Sequence, residues 1–134
     1  AGGYAQYRKG ESYAEFQQGR YVMIQIESRR GIDNLPSILD AYKDHISAVI
    51  IGPNDLSVML GTPHHWNNDM VQKAIQEVFD ISSSYGKSCG IFCIDADDAK
   101  HYREMGANVL WTGADIGFYM QGYNETMNAL KAIE

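Results

Sequence analysis

The sequence predicts an α/β fold of parallel strands alternating with helices, and two observations carry that expectation. Short apolar, β-branched runs recur along the chain. Between them lie segments whose apolar residues fall at helical spacing. Parallel strands need crossover connections of helix length, and this alternation supplies them.

Tyr21 to Ile26 reads as the first strand, ending in Glu27. A helix follows from about Asn34 to Lys43. Asp33 or Asn34 can cap it, Pro36 fits its first turn, and Leu35, Ile38, Leu39 and Tyr42 recur at helical spacing. Ala48 to Ile51 forms the second strand, stopped by Gly52-Pro53, and Gly61 to Asn68 reads as a polar loop. The strongest helical pattern runs from about Asp69 to Tyr85. Met70, Val71, Ala74, Ile75, Val78 and Phe79 make one stripe there, and Gly86 ends the helix. Ser88 to Ile94 is the third strand. Asp95 caps a short helix that ends at Gly106. Ala107 to Trp111 is the fourth strand, Thr112 to Gly117 a glycine-containing turn, and Tyr123 to Ile133 the last helix. The first twenty residues read as an irregular lead-in with one helical turn at most.

The chain has 134 residues, enough for one domain or a piece of a larger one. Hydrophobic residues at 45% and charged residues at 21% indicate a globular chain. No apolar run is long enough to cross a bilayer. No basic-then-apolar leader opens the sequence, which argues against secretion by a signal peptide; the first residue is Ala1, as in a processed chain or a fragment. A net charge of -6 disfavours nucleic acid as a partner. Cys89 and Cys93 fall on one strand, roughly 13 Å apart, too far for a disulfide. Free thiols fit a reducing compartment, hence a cytoplasmic location.

Two architectures compete for four βα units. A small open doubly wound sheet would suit the length. Half of a (β/α)₈ barrel, whose full form needs about 250 residues, would suit the polar residues. Gln25 and Glu27 lie two apart on a strand and face one side at its carboxyl end. In both architectures that end is where ligands bind. A solvated strand end, or a Glu paired with Arg29 or Arg30, is the ordinary alternative. Asn54 and Asp55 sit just past the second strand, beyond Gly52-Pro53. If the two strands are neighbours, Glu27 and Asp55 converge, and two carboxylates suit a hard cation such as Mg²⁺ or Mn²⁺. Ordinary turn chemistry, with Asp55 capping a short helix, explains Pro-Asn-Asp as well.

Gln25-Ile26-Glu27-Ser28 followed by Gly52-Pro53-Asn54-Asp55-Leu56-Ser57 resembles the HpcH/HpaI aldolase family of metal-dependent class II pyruvate aldolases. The resemblance extends through Gly31-Ile32-Asp33-Asn34, Tyr85-Gly86-Lys87, Gly90-Ile91-Phe92 and Gly106-Ala107 to Gly113-Ala114-Asp115-Ile116-Gly117. It implies a (β/α)₈ TIM barrel of which residues 1–134 form a single segment, the C-terminal half, with the first half absent. It implies Glu27 and Asp55 as catalytic ligands of a divalent metal, Mg²⁺ or Mn²⁺, with Co²⁺ a third candidate. Gln25 would contact pyruvate, and Gly52, Pro53 and Asn54 would hold its carboxylate.

The implied activity is that of a carbon–carbon lyase. It cleaves 4-hydroxy-2-oxo acids to pyruvate and an aldehyde through a metal-stabilised enolate. The family's enolate-stabilising Arg and its His–Asp pair have no counterpart here, so the chain alone is expected to be inactive. Family members are oligomers, and half a barrel exposes strand edges. Association with a second copy or with the missing half is therefore expected. The rivals are a CoA-ester lyase of the citrate lyase β-subunit type and a catalytically incomplete half barrel that binds a metal or a partner.

Several residues are read more plainly. His64, His65 and Trp66 suit a surface loop or a subunit contact. The Gly113 to Gly117 turn suits a phosphate site or close backbone packing. Met120, Tyr123, Met127 and Leu130 suit a core or an interface. Trp111 stands where the family has a smaller residue.

Overall fold

A computed structural model describes residues 12–133 of the chain. A short helix α1 (Tyr13–Gln18) precedes β1 (Met23–Ile26), α2 (Arg29–Tyr42), a 3₁₀ turn (Lys43–His45), β2 (Ala48–Ile51) and α3 (Pro53–Met59). Then come α4 (Asp69–Ser84), β3 (Ser88–Cys93), α5 (Ala96–Met105), β4 (Val109–Thr112) and α6 (Asp115–Lys131). The irregular lead-in read over residues 1–11 lies outside the described residues.

The strands form one sheet in the order β1-β2-β3-β4, every pair parallel. A doubly wound sheet reverses its strand order at a switch point. This order runs straight through, and the buried core lies on one face. Ile26, Ile51 and Ile91 share a register row and are at most 5% exposed. They pack against Leu35 and Leu39 of α2 and Val71, Ile75 and Val78 of α4. The opposite face carries Gln25, Ile50, Gly90 and Val109 as one row. Sequential parallel strands covered on one side are the arrangement of a barrel segment.

Local chemistry explains most element ends. Asn68 caps α4 by accepting from the Met70 N–H at 2.9 Å. At its other end Gly86 takes φ 65, and the Lys87 N–H reaches back to the Ser82 carbonyl at 2.9 Å. The predicted stripe of α4 is buried except Met70, which is 47% exposed. Asp95 accepts from the Asp97 and Asp98 N–H groups and starts α5, and Gly106 ends it at φ 116.

Two helices start earlier than the spacing predicts. α2 begins at Arg29, because the Ser28 hydroxyl accepts from the Gly31 N–H at 3.1 Å. Pro36 therefore lies in the helix interior, where the missing N–H costs about 3 kcal/mol. Burial of Ile32, Leu35 and Leu39 offsets that cost. α6 begins at Asp115 and carries Gly117 and Gly122 inside it. Only Gly113 belongs to the preceding turn, at φ 72, and a Cβ there would run into the Phe118 ring. The left-handed backbone accounts for that glycine, since the Phe118 ring over it is itself 60% exposed. No described residue of α6 is buried, so Met120, Tyr123 and Leu130 are not core residues. Among the described residues, no helix is long and apolar enough to cross a membrane.

Cys89 and Cys93 are unbridged and buried against the helix layer. Burial pushes both thiols up from the ordinary value, with Asp98 and Asp95 adding to the rise at Cys93. Iodoacetamide at pH 8 is therefore expected to label both cysteines readily in the unfolded chain and slowly in the native one. Native labelling at the rate of an exposed thiol, followed by mass spectrometry, would contradict this placement. Gly90 offers a second test, since a Cβ there would press on the Val109 backbone and lie 2.7 Å from its Cβ. Gly90→Ala should cost about 1–3 kcal/mol and lower the thermal midpoint by several degrees. An unchanged midpoint would show that β3 and β4 are not in this register.

Candidate active site

The register of β1 on β2 decides what meets at the strand tips. Ile26 lies beside Ile51, so the next residues, Glu27 and Gly52, leave the sheet side by side. Gln25 and Glu27 project to the same face, and the Gln25 side-chain amide donates to Glu27 Oε1 at 2.5 Å. Gly52 borders this pair so closely that a Cβ there would collide with the Glu27 carboxylate and come within 2.7 Å of the Gln25 amide nitrogen. The absence of a side chain at 52 is what gives the Glu27 carboxylate its place.

Arg29 does not pair with Glu27. Its guanidinium holds both Glu77 oxygens at 2.7 Å and reaches Asp33 at 2.7 Å. The hydrogen bonds that Arg29 donates lower the Glu77 carboxyl below the ordinary range, and the same bonds chiefly raise Arg29. This cluster clamps α2 to α4 on the outer side of the sheet. It leaves Glu27 with Gln25 as its neighbour at the strand tip.

Pro53 opens α3, a position where its missing N–H costs nothing. Asp55 lies in the first turn rather than at the cap, which is Gly52. The N–H groups of Asn54 and Asp55 precede the first helical bond, made by the Leu56 N–H to the Gly52 carbonyl at 3.0 Å. Gln25, Glu27, Gly52, Pro53, Asn54 and Asp55 together line one side of a pocket of about 240 Å³. All six residues singled out from the sequence thus border one space.

Three rings close the other side of that pocket: Trp66, Phe92 and Trp111. Phe92 and Trp111 are register partners on β3 and β4, with ring centroids 6.3 Å apart at 67°. Trp66 stands edge-on to Phe92 at 6.0 Å and 84°. Reading Trp66 as loop surface is therefore corrected. The loop between α3 and α4 folds back over the strand tips. His64 takes part in that fold, its Nδ1 lying 2.8 Å from Asn54 Oδ1 while its N–H donates to Ser57 Oγ at 3.0 Å. His64 adopts φ 64, a left-handed backbone uncommon for a residue with a Cβ. A tryptophan within an otherwise polar loop was the one sequence signal of this return.

The fit of a metal can be judged from the donors present. Glu27 and Asp55 offer carboxylate oxygens on one pocket, with the Gly52 cradle fitted to one of them. Among the described residues no group of three His, Cys, Asp or Glu could hold an ion by itself. Two carboxylates fit a hard cation that keeps water or substrate oxygens in its remaining positions. They do not suit a closed zinc centre, and the buried, protonated thiols add no ligand.

A profile of the HpcH/HpaI aldolase/citrate lyase family matches residues 5–121. The chain belongs to this family. It is 32% identical over 119 residues to the 5-keto-4-deoxy-D-glucarate aldolases of Citrobacter koseri and Escherichia coli, covering 89% of this chain and 46% of each relative. The chain thus spans about half the length of those relatives. A solved HpcH/HpaI aldolase from Desulfitobacterium hafniense superposes with a TM-score of 0.77 at 25% identity, over 90% of this chain and 48% of that one. A family protein from Burkholderia cenocepacia gives 0.73 at 27% identity, over 83% and 42%. The citrate synthase SbnG, at 22% identity and a TM-score of 0.72 over 84% of this chain and 45% of that one, shares the fold. Family members superpose on the four strands as half of a larger HpcH/HpaI aldolase, in agreement with the expected half barrel.

Because Gly52 makes room for Glu27, Gly52→Ala should push the carboxylate out of its seat and break its bond to Gln25. Side-chain NMR is expected to show the Glu27 Cδ and Gln25 amide signals shifting together, with the backbone spectrum of α4 unchanged. Unmoved Glu27 and Gln25 signals would mean that the close approach at position 52 is wrong.

Proposed function

We propose that this chain carries the metal and keto-acid side of a pyruvate aldolase site. The complete barrel would cleave a 4-hydroxy-2-oxo acid to pyruvate and an aldehyde. The observation that carries the reading is the convergence of Glu27, Asp55 and Gln25 on one pocket at the carboxyl ends of β1 and β2. Membership of an aldolase and lyase family supports the reaction class.

Each residue has a part in this reading. Glu27 and Asp55 would hold a divalent cation, Mg²⁺ or Mn²⁺, through carboxylate oxygens. That cation, when bound, supplies a Lewis acid that polarises the keto carbonyl and stabilises negative charge on it. Gln25 restrains Glu27 through its amide and leaves its own carbonyl oxygen available for a donor. The N–H groups of Asn54 and Asp55, with the bare Gly52 backbone, would take the substrate carboxylate. Pro53 contributes no donor and keeps the turn rigid.

The bond accounting follows from the substrate. A base removes the C4 hydroxyl proton, the C3–C4 bond breaks, and the aldehyde departs. The electron pair of the broken bond passes to C3 as the enolate of pyruvate, which takes a proton there. The base and the cationic group beside the enolate are assigned to residues outside this chain, since Arg29 is committed to Glu77 and Asp33. We assign self-association, or pairing with the complementary half, to the two sheet edges, β1 and β4.

Mn²⁺ binding tests the ligand pair directly. Electron paramagnetic resonance of free Mn²⁺ should show saturable binding to the 134-residue chain. Glu27→Gln and Asp55→Asn should each weaken it by at least about a hundredfold while the circular dichroism spectrum is retained. Near-native Mn²⁺ affinity in either variant would remove that residue from the ligand set. In the complete barrel the same substitutions should abolish retro-aldol turnover.

A further inference from the structure

The pocket at the strand tips is divided in two, and the aromatic half has no role in the reading above. Trp66, Phe92 and Trp111 come from the loop before α4, from β3 and from β4. Their edge-to-face contacts form one continuous wall. Among the described residues that line the pocket, none on that side carries a charged side chain, and the side-chain polar groups there are the two indole N–H donors. A chain of several hydroxyls placed there would find two donors at most and lose the rest of its water without replacement. An apolar ring would bury its surface against the wall and meet ring edges and faces.

The wall is held in place from outside the pocket. Phe92 and Trp111 are locked by the β3–β4 register. Trp66 is held through its backbone, because the Gln72 side-chain amide on α4 donates to the Trp66 carbonyl at 2.8 Å. Gln72 is itself fixed by His101 of α5, whose Nε2 lies 2.9 Å from Gln72 Oε1. The other side of Trp66 borders a second cavity of about 300 Å³, shared with Ile94 and Asp98. Trp66 is thus a partition between two spaces.

We propose that the aromatic wall is the aldehyde subsite and that it selects an aldehyde with a flat, apolar substituent, an aromatic aldehyde. The assignment rests on the keto-acid reading, which places the carboxylates and the bare backbone of Gly52 at the opposite side. With the three-carbon acid there, the cleaved bond points to the wall, and the substituent on the departing carbonyl carbon lies against Trp66, Phe92 and Trp111. These three residues are then specificity determinants.

Saturation-transfer NMR on the 134-residue chain tests this without turnover, using benzaldehyde and D-glyceraldehyde as probes. Benzaldehyde should bind at least about tenfold more tightly than glyceraldehyde. Trp111→Leu and Trp66→Ala should each weaken benzaldehyde by about tenfold and leave Mn²⁺ affinity unchanged. Glu27→Gln should do the reverse, losing Mn²⁺ and keeping benzaldehyde. Trp66 lies in a loop outside the sheet, so its variant decides the matter even if Trp111→Leu fails to fold. Equal affinity for the two probes, or benzaldehyde binding indifferent to Trp66→Ala, overturns the proposal. Absent Mn²⁺ binding in the unaltered chain would instead sink the keto-acid reading, an outcome the ring-proton signal distinguishes.

Discussion

The close approach of Glu27 to Gly52 organises this end of the molecule. Parallel pairing of β1 on β2 brings the two residues out of the sheet together. With any side chain at 52, the carboxylate and the Gln25 amide would have to leave their positions. The sharp exit into Pro53 then turns Asn54 and Asp55 over the same space. One absent Cβ thus links a strand register to a pair of carboxylates on one pocket.

The surrounding structure keeps that arrangement free of competition. Arg29, adjacent in sequence to the site, is drawn outward by Glu77 and Asp33. A cation at that position turned inward would neutralise Glu27 and take the place of a metal. The outward pairing joins the first turn of α2, which starts at Arg29, to Glu77 on α4. The buried Ile26, Ile51 and Ile91 row holds the strands against the helices. The polar tips therefore sit on a rigid base.

The loop between α3 and α4 connects the polar and aromatic sides of the pocket. Ser57, fully buried, donates to the Asn54 carbonyl at 2.6 Å and accepts from the His64 N–H. His64 in turn bonds the Asn54 side chain. The left-handed backbone at His64 is the local cost of turning the loop back. The return brings Trp66 to Phe92, and Gln72 holds it there from α4. The polar and aromatic sides of the pocket are thereby built from the same short stretch of chain.

Much of this was legible in the residues themselves. The α4 stripe, the Asp95 cap and the Gly86 and Gly106 stops follow from local rules, because spacing and capping act within one turn of chain. Gln25 and Glu27 on one face follow from strand alternation alone. The Gln-Ile-Glu and Gly-Pro-Asn-Asp segments together carried the family resemblance and hence the half barrel. Helix starts were less legible. Ser28 replaces Asp33 as the cap because its hydroxyl closes an earlier first turn and the longer α2 buries Ile32, Leu35 and Leu39, whereas α6 carries two glycines without burying a described residue. Only the tertiary structure decided that Arg29 turns away from Glu27, that Gly52 cradles a carboxylate, and that Trp66 meets Phe92. Those facts join residues far apart in the chain, and their distances depend on register and loop path, which no local pattern of residues encodes.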